Sequence, residues 1–157
     1  MQLPSSTVQN ASIRIVVADD EAHIRLVVGG KFRSEGFTVV EARDGEEALE
    51  LVRSQMPSLL VTDLQMPYMN GLELCTQLAA DLRTASVPAL LLTARGHILE
   101  ADRLSATIIK KVMSKPFSVK SLFEQATMLL AQSGAIGLSK GSISDLRASG
   151  AVKGEAA

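Results

Sequence analysis

The sequence has little cysteine, no charge excess and no long apolar run. Cys75 is its single cysteine, which excludes an intrachain disulfide and a cysteine-rich zinc site, and suits a reducing cytoplasm, the expected location. Sixteen Lys and Arg stand against 17 Asp and Glu, a formal net charge of −1. So there is no overall basic field to attract nucleic acid, and direct nucleic-acid binding is not expected. No stretch approaches the roughly 18 apolar residues of a membrane helix, so no membrane insertion is expected. Met1 to Ser12 is polar without an apolar core and does not read as a signal peptide. Aromatic residues are scarce, at 3%.

What is present reads as a globular α/β chain. Its 157 residues and 16.7 kDa fit one domain plus tails. Hydrophobic residues make up 46% and charged residues 21%, a globular balance. Residues 1–11 form a Ser/Thr/Gln/Asn-rich arm, expected to be flexible. Ile13 to Ala18 is a nearly continuous apolar run, as in a strand buried on both faces. After Asp19-Asp20-Glu21 the period changes. Ile24, Val27, Val28 and Phe32 recur at helical spacing, with Asp20 as the expected N-cap and Gly36 as the stop. Phe37 to Glu41 is the next expected strand. Asp44 opens a second helix with acids in its first turn, and Pro57 closes it.

Ser58 to Thr62 forms the third strand, stopping at Asp63. Asn70 caps a helix whose expected core face is Leu72, Cys75, Leu78, Ala79 and Leu82. Val87 to Leu92 is a fourth strand ending at Thr93, and Gly96 to Ser105 a weakly amphipathic helix. Ile108 to Met113 is a fifth strand with Lys110-Lys111 inside it, running to Ser114-Lys115-Pro116-Phe117. Ser118 caps a last helix with Val119, Leu122, Ala126 and Leu129 on one face. The domain is expected over residues 12–131. Residues 132–157 turn Gly/Ala/Ser-rich and are expected to be a flexible tail.

Five strands alternating with five helices predict a doubly wound parallel sheet with helices on both faces. In such sheets ligands bind outside the carboxyl ends of the strands. Asp19-Asp20, Asp63, Thr93 and Lys115 all fall at strand ends. Crowded carboxylates repel unless a cation joins them. Magnesium suits them, being a hard ion that takes oxygen ligands and a few carboxylates. A lysine and a hydroxyl could hold phosphoryl oxygens, and a carboxylate could be the nucleophile of an acyl phosphate. Singly, each residue has a plainer reading. Asp20 could be a helix cap, Asp63 a turn residue, Thr93 a cap and Lys115 a surface charge. His23 and His97 sit at helix starts rather than strand ends, and read as exposed. The joint placement carries the functional reading.

Four motifs then match a family. VVADDE (Val16 to Glu21), VTDLQMPYMNG (Val61 to Gly71), LLTAR (Leu91 to Arg95) and SKPF (Ser114 to Phe117) resemble the receiver domain of two-component response regulators, over about residues 12–131. The resemblance implies a flavodoxin-like (βα)5 fold with strand order 2-1-3-4-5. It implies that Asp63 accepts a phosphoryl group from a histidine kinase or a histidine phosphotransfer protein. Asp20 and Asp63 match the magnesium ligands, with Asp19 alongside and the backbone carbonyl of Gln65 as a further ligand; Mn2+ or Ca2+ could substitute. Thr93 matches the switch hydroxyl and Lys115 the lysine that contacts the phosphoryl group. The Lys115-Pro116 bond matches a position that is typically cis.

The chain departs from the family pattern at Val112, where a Tyr or Phe usually reports phosphorylation, and at Ile108-Ile109-Lys110-Lys111. Both departures fall on the family's output face and leave the phosphorylation pocket whole. Gln65 and Arg95 flank the route of water to an acyl phosphate. The residues after Ala131 are too few for an output domain, so the chain is expected to signal by docking to an unknown downstream protein or by passing phosphate onward. It is not expected to be an enzyme beyond catalysing its own phosphorylation and dephosphorylation. The rival readings are an unphosphorylated interaction module and an aspartyl phosphatase. The latter usually needs a second acid two residues on, where Gln65 stands.

Overall fold

A computed structural model describes residues 12–94 and 99–137. The expectations placed on residues 1–11, on Arg95 and His97, and on residues 138–157 lie outside the described residues.

Five strands, β1 (Arg14–Ala18), β2 (Thr38–Ala42), β3 (Leu59–Asp63), β4 (Ala89–Thr93) and β5 (Ile109–Ser114), pair in parallel in the order β2-β1-β3-β4-β5. Between and after them run α1 (Ala22–Ser34), α2 (Gly45–Gln55), α3 (Gly71–Ala80), α4 (Ala101–Ser105) and α5 (Val119–Gln132). The doubly wound expectation therefore holds, strand order included.

Strand periodicity explains the two cores. Successive side chains point to opposite faces. Val16, Leu60 and Leu91 pack on one side with Val52, Leu72, Cys75 and Leu78. Ile15, Val17, Leu59, Val61, Leu90 and Leu92 pack on the other with Val28, Phe32, Leu122 and Leu129. Both β3 and β4 are buried along their whole length, which is why they read as unbroken apolar runs. Phe32, Phe37 and Phe123 meet in one aromatic cluster, with ring centroids 5.5 to 6.2 Å apart.

Local signals set the helix ends. The Asp44 carboxylate accepts from the Glu47 N–H to start α2. Asn70 and Glu73 form a reciprocal capping box that starts α3, a device worth about 1 kcal/mol. Ser118 caps α5. After α1, Gly36 takes φ 93°, while its N–H donates to the Arg33 carbonyl and the Phe37 N–H to the Phe32 carbonyl. That left-handed turn is the stop expected there.

Some expectations fail. The N-cap of α1 is Glu21, not Asp20, and the neighbouring Asp19 carboxylate accepts the Glu21 N–H. Leu82 lies beyond α3 and is 95% exposed, so it does not belong to that helix's core face. The helix expected from Gly96 is described only over Ala101–Ser105. Past residue 131 the chain stays on the domain: α5 runs through Gln132, and Ala135 and Ile136 pack against the aromatic-side core.

The two lysines inside β5 have a physical explanation. β5 is an edge strand, and its register with β4 shifts between Ala89↔Ile109 and Leu90↔Lys111. Lys110 is the extra residue of this bulge, so Lys110 and Lys111 are both exposed. Bulges and lysines are common protections of a free sheet edge.

Candidate functional site

The sheet brings the strand ends together. β1 and β3 are neighbours, and from them the chain winds outward in opposite directions, so their carboxyl ends flank the switch-point crevice. Asp19 follows β1 and is buried; Asp63 ends β3 and is buried as well. Thr93 ends β4, also buried, and pairs with Ser114 of β5. The next residue of β5's strand end, Lys115, donates its backbone N–H to the Thr93 carbonyl at 2.7 Å. That bond aims the lysine across the sheet edge.

Lys115 is the hub. Its Nζ lies 3.2 Å from Asp63 Oδ1 and 3.4 Å from Asp19 Oδ2, with Glu21 Oε1 at 4.0 Å. The Lys115-Pro116 peptide is cis, as expected. Asp19 Oδ1 accepts the Glu21 N–H at 2.9 Å. Asp20 is exposed at the rim, and its ligand atom lies within 4.8 Å of those of Asp19 and Glu21. Gln65 sits in the loop after β3 with an exposed side chain. Val112 is half-buried in β5 opposite Leu91 and packs against the core on the α3 side.

Burial and charge compete in this triad. Burial raises the Asp19 carboxyl from 3.8 to about 6; the Glu21 N–H works against that rise, Asp63 adds to it, and Lys115 opposes it. Asp63 is also raised, by burial first, with the charge of Lys115 pulling the other way and Asp20 pushing further up. Lys115 suffers from burial too, but Asp19 and Asp63 outweigh it and hold the ammonium above its ordinary value. The result is a basic, partly desolvated carboxylate at Asp63 beside a fixed cation. A carboxylate so placed is suited to nucleophilic work.

The loop from Leu64 to Asn70 is held tightly against Asp63. Gly71 N–H donates to the Leu64 carbonyl at 2.8 Å, and the Leu64 N–H to the Leu92 carbonyl at 2.8 Å. A Cβ on Gly71 would collide with the Asp63 carbonyl oxygen, and one on Gly45 with the Met69 carbonyl oxygen. The Asn70-Gly71 pair thus does more than start a helix: only glycine lets α3 begin so close to Asp63. Tyr68, at the outer part of this loop, has φ 69° and is 82% exposed.

A hard divalent cation fits the donors present. Asp19, Asp20 and Glu21 offer oxygens close together at the mouth of the crevice, and carboxylate oxygens are what magnesium takes. Glu21 was not among the residues singled out from the sequence; it belongs to the same acidic run, and its helix-opening position hid its approach to Lys115. Arg25 was missed entirely. Its Nη1 donates to the Asp19 backbone carbonyl at 2.6 Å, and nothing in a helix-face pattern signals such a contact.

A family model for the response regulator receiver domain matches residues 15–127. The response regulator MprA of Mycobacterium ulcerans is 36% identical over 119 residues, 76% of this chain and 50% of that protein. The chain spans about half the length of the curated relatives it matches. Among solved structures, the receiver domain of the Francisella response regulator 1452 aligns with a TM-score of 0.69 at 27% identity, covering 76% of this chain and 98% of that one. The chemotaxis response regulator CheY4 of Vibrio cholerae shares the fold at a TM-score of 0.69 and 24% identity.

Proposed function

The chain belongs to the response regulator receiver domain family of two-component signalling, and we propose that it is switched by phosphorylation of Asp63. The observation that carries this is Lys115, whose ammonium lies within 3.4 Å of both Asp19 and Asp63 at the carboxyl edge of the sheet. No acid stands two residues after Asp63, where Gln65 is found, which disfavours a phosphatase.

In the proposed reaction an Asp63 carboxylate oxygen attacks phosphorus in the phosphohistidine of a histidine kinase or phosphotransfer protein. The P–N bond breaks, an acyl phosphate forms, and the imidazole leaves and takes up a proton. Lys115 would give its charge to a phosphoryl oxygen, and the Thr93 hydroxyl would donate to another. Asp19, Asp20, Asp63 and the Gln65 carbonyl would hold a magnesium ion, which when bound offsets the negative charge of the phosphoryl group. Lys115 restrains the repulsion between Asp19 and Asp63 before a phosphoryl group arrives. Phosphorylation then adds a charge of about −1.5 to −2 and draws Lys115 and Thr93 toward it. At the output face, half-buried Val112 packs against the core, which supports a relay that runs without a moving aromatic ring at that position. Signalling then passes to a downstream protein by docking, or onward by phosphotransfer, in the cytoplasm.

Intact-mass measurement tests this. Wild type incubated with magnesium and acetyl phosphate gains one phosphoryl group, and Asp63→Asn gains none. An unmodified wild type refutes the reading, and an adduct on Asp63→Asn shows that another residue is the acceptor.

A further inference from the structure

We propose that Arg25 is a positioning residue for the cation site, holding the peptide between Asp19 and Asp20 in the orientation that keeps their carboxylates together. The inference rests on the reading of Asp19 and Asp20 as metal ligands. It names a residue that reaches the site through the backbone, without touching the ion.

Arg25 lies one turn into α1 and is nearly enclosed, with its side chain 13% exposed. Its Nη1 donates to the backbone carbonyl of Asp19 at 2.6 Å. Its Nε lies 3.4 Å from Glu41 Oε1 on β2. Arg33 pairs separately with the other carboxylate oxygen of Glu41, Oε2, at 2.9 Å. Gly29 leaves room for this arrangement: a Cβ there would stand 3.2 Å from Arg33 Nη1 and 3.3 Å from Val39 Cγ1. The Asp19 N–H meanwhile donates to the Ala42 carbonyl at 3.1 Å, extending the β1–β2 ladder by one residue. Asp19 is therefore gripped on its N–H by β2, on its carbonyl by α1, and on its side chain by Lys115 and the Glu21 N–H.

The grip matters because the next groups repel one another. Asp19, Asp20 and Glu21 place three acids within 4.8 Å. With a free peptide between Asp19 and Asp20, rotation about the flanking bonds would let these charges swing apart. A charge-assisted hydrogen bond to the Asp19 carbonyl locks that plane. Glu41 holds the Nε side of the guanidinium fork while Nη1 reaches the Asp19 carbonyl, and the single nitrogen of an ammonium does not reproduce that spread of two donor atoms. Partners behind the direct ligands commonly contribute about 10- to 100-fold to metal affinity.

The test is Mg2+ affinity of the unphosphorylated protein by isothermal titration calorimetry. Wild type, Arg25→Ala, Arg25→Lys and Arg33→Ala are compared, each with a thermal melt. Arg33→Ala is the control: it loses an ion pair to the same Glu41 without a contact to Asp19. Arg25→Ala is expected to bind Mg2+ about 10- to 100-fold more weakly, and Arg33→Ala to stay near wild type. Arg25→Lys is expected to remain impaired; should Arg25→Ala fail to fold, Arg25→Lys decides alone. Unchanged affinity in the Arg25 variants, full rescue by lysine, or an equal loss in Arg33→Ala overturns the inference. A wild type that does not bind Mg2+ removes the metal-site reading and this inference with it, whereas unaffected Arg25 variants of a wild type that binds remove this inference alone.

Discussion

Replacing Asp19 by asparagine measures what the site costs the fold. The Asp19 carboxyl titrates near 6 in the folded chain against an ordinary 3.8, so the native state holds this proton more tightly than the unfolded state does. Stability from this group is therefore fully present below pH 3.8 and falls as pH rises toward about 6. At pH 7.5 that rise corresponds to ~3 kcal/mol. That figure already contains the attraction of Lys115 and the hydrogen bond from Glu21, because both act on the shifted value. Asparagine has nearly the same shape, and its amide oxygen can still accept the Glu21 N–H, but it carries no charge. Asp19→Asn should thus leave stability nearly unchanged at pH 4 and raise it by about 3 kcal/mol at pH 7.5. Urea unfolding at pH 4, 6 and 7.5, in EDTA to keep cations out of the acid cluster, reads this as a midpoint gain of ~1–2 M that grows with pH. A gain that is the same at all three pH values, or a loss at pH 7.5, refutes the argument that a buried carboxylate is held ionised there at the expense of stability.

Two further substitutions probe the loop after β3. Gly71→Ala would force a methyl group into the Asp63 carbonyl oxygen and to 2.9 Å from Leu91 Cδ1. It is expected to lower stability by ~2–3 kcal/mol in urea unfolding and to slow phosphorylation of Asp63 by acetyl phosphate; a wild-type unfolding midpoint would show that the loop yields without strain. Tyr68→Gly has the opposite sign, because Tyr68 buries little and occupies a left-handed conformation with φ 69°. It is expected to raise stability by ~0.5–1 kcal/mol, the left-handed strain relieved less the added chain entropy of glycine, and a loss of stability in the same assay contradicts it.

The chain order of the site was legible because its signals are local. An apolar run that stops at an acid, as at Leu59 to Asp63, marks a strand end by composition alone. Asp44, Asn70 and Ser118 mark helix starts because a cap bonds to an N–H three residues on. At Asp20 and Leu82 the local pattern departs from the structure. The helix begins one residue later than the cap pattern indicates, at Glu21, and Asp20 stays exposed at the rim with its carboxylate beside those of Asp19 and Glu21. The apolar periodicity of α3 continues in the sequence past Ala80, but the helix ends there and leaves Leu82 in solvent.

By itself, then, the sequence determined which residues stand at strand ends, where most helices begin, and that the sheet is parallel and buried. These follow from side-chain periodicity and from bonds between near neighbours in the chain. Only the tertiary structure decided what those residues do to one another. Lys115 meets Asp19 across 96 positions of sequence, Arg25 reaches back from α1 to the Asp19 carbonyl, and a bulge turns both lysines of β5 outward. Such contacts depend on strand order and register, which arise from packing the whole core at once. No pattern read along one segment contains them.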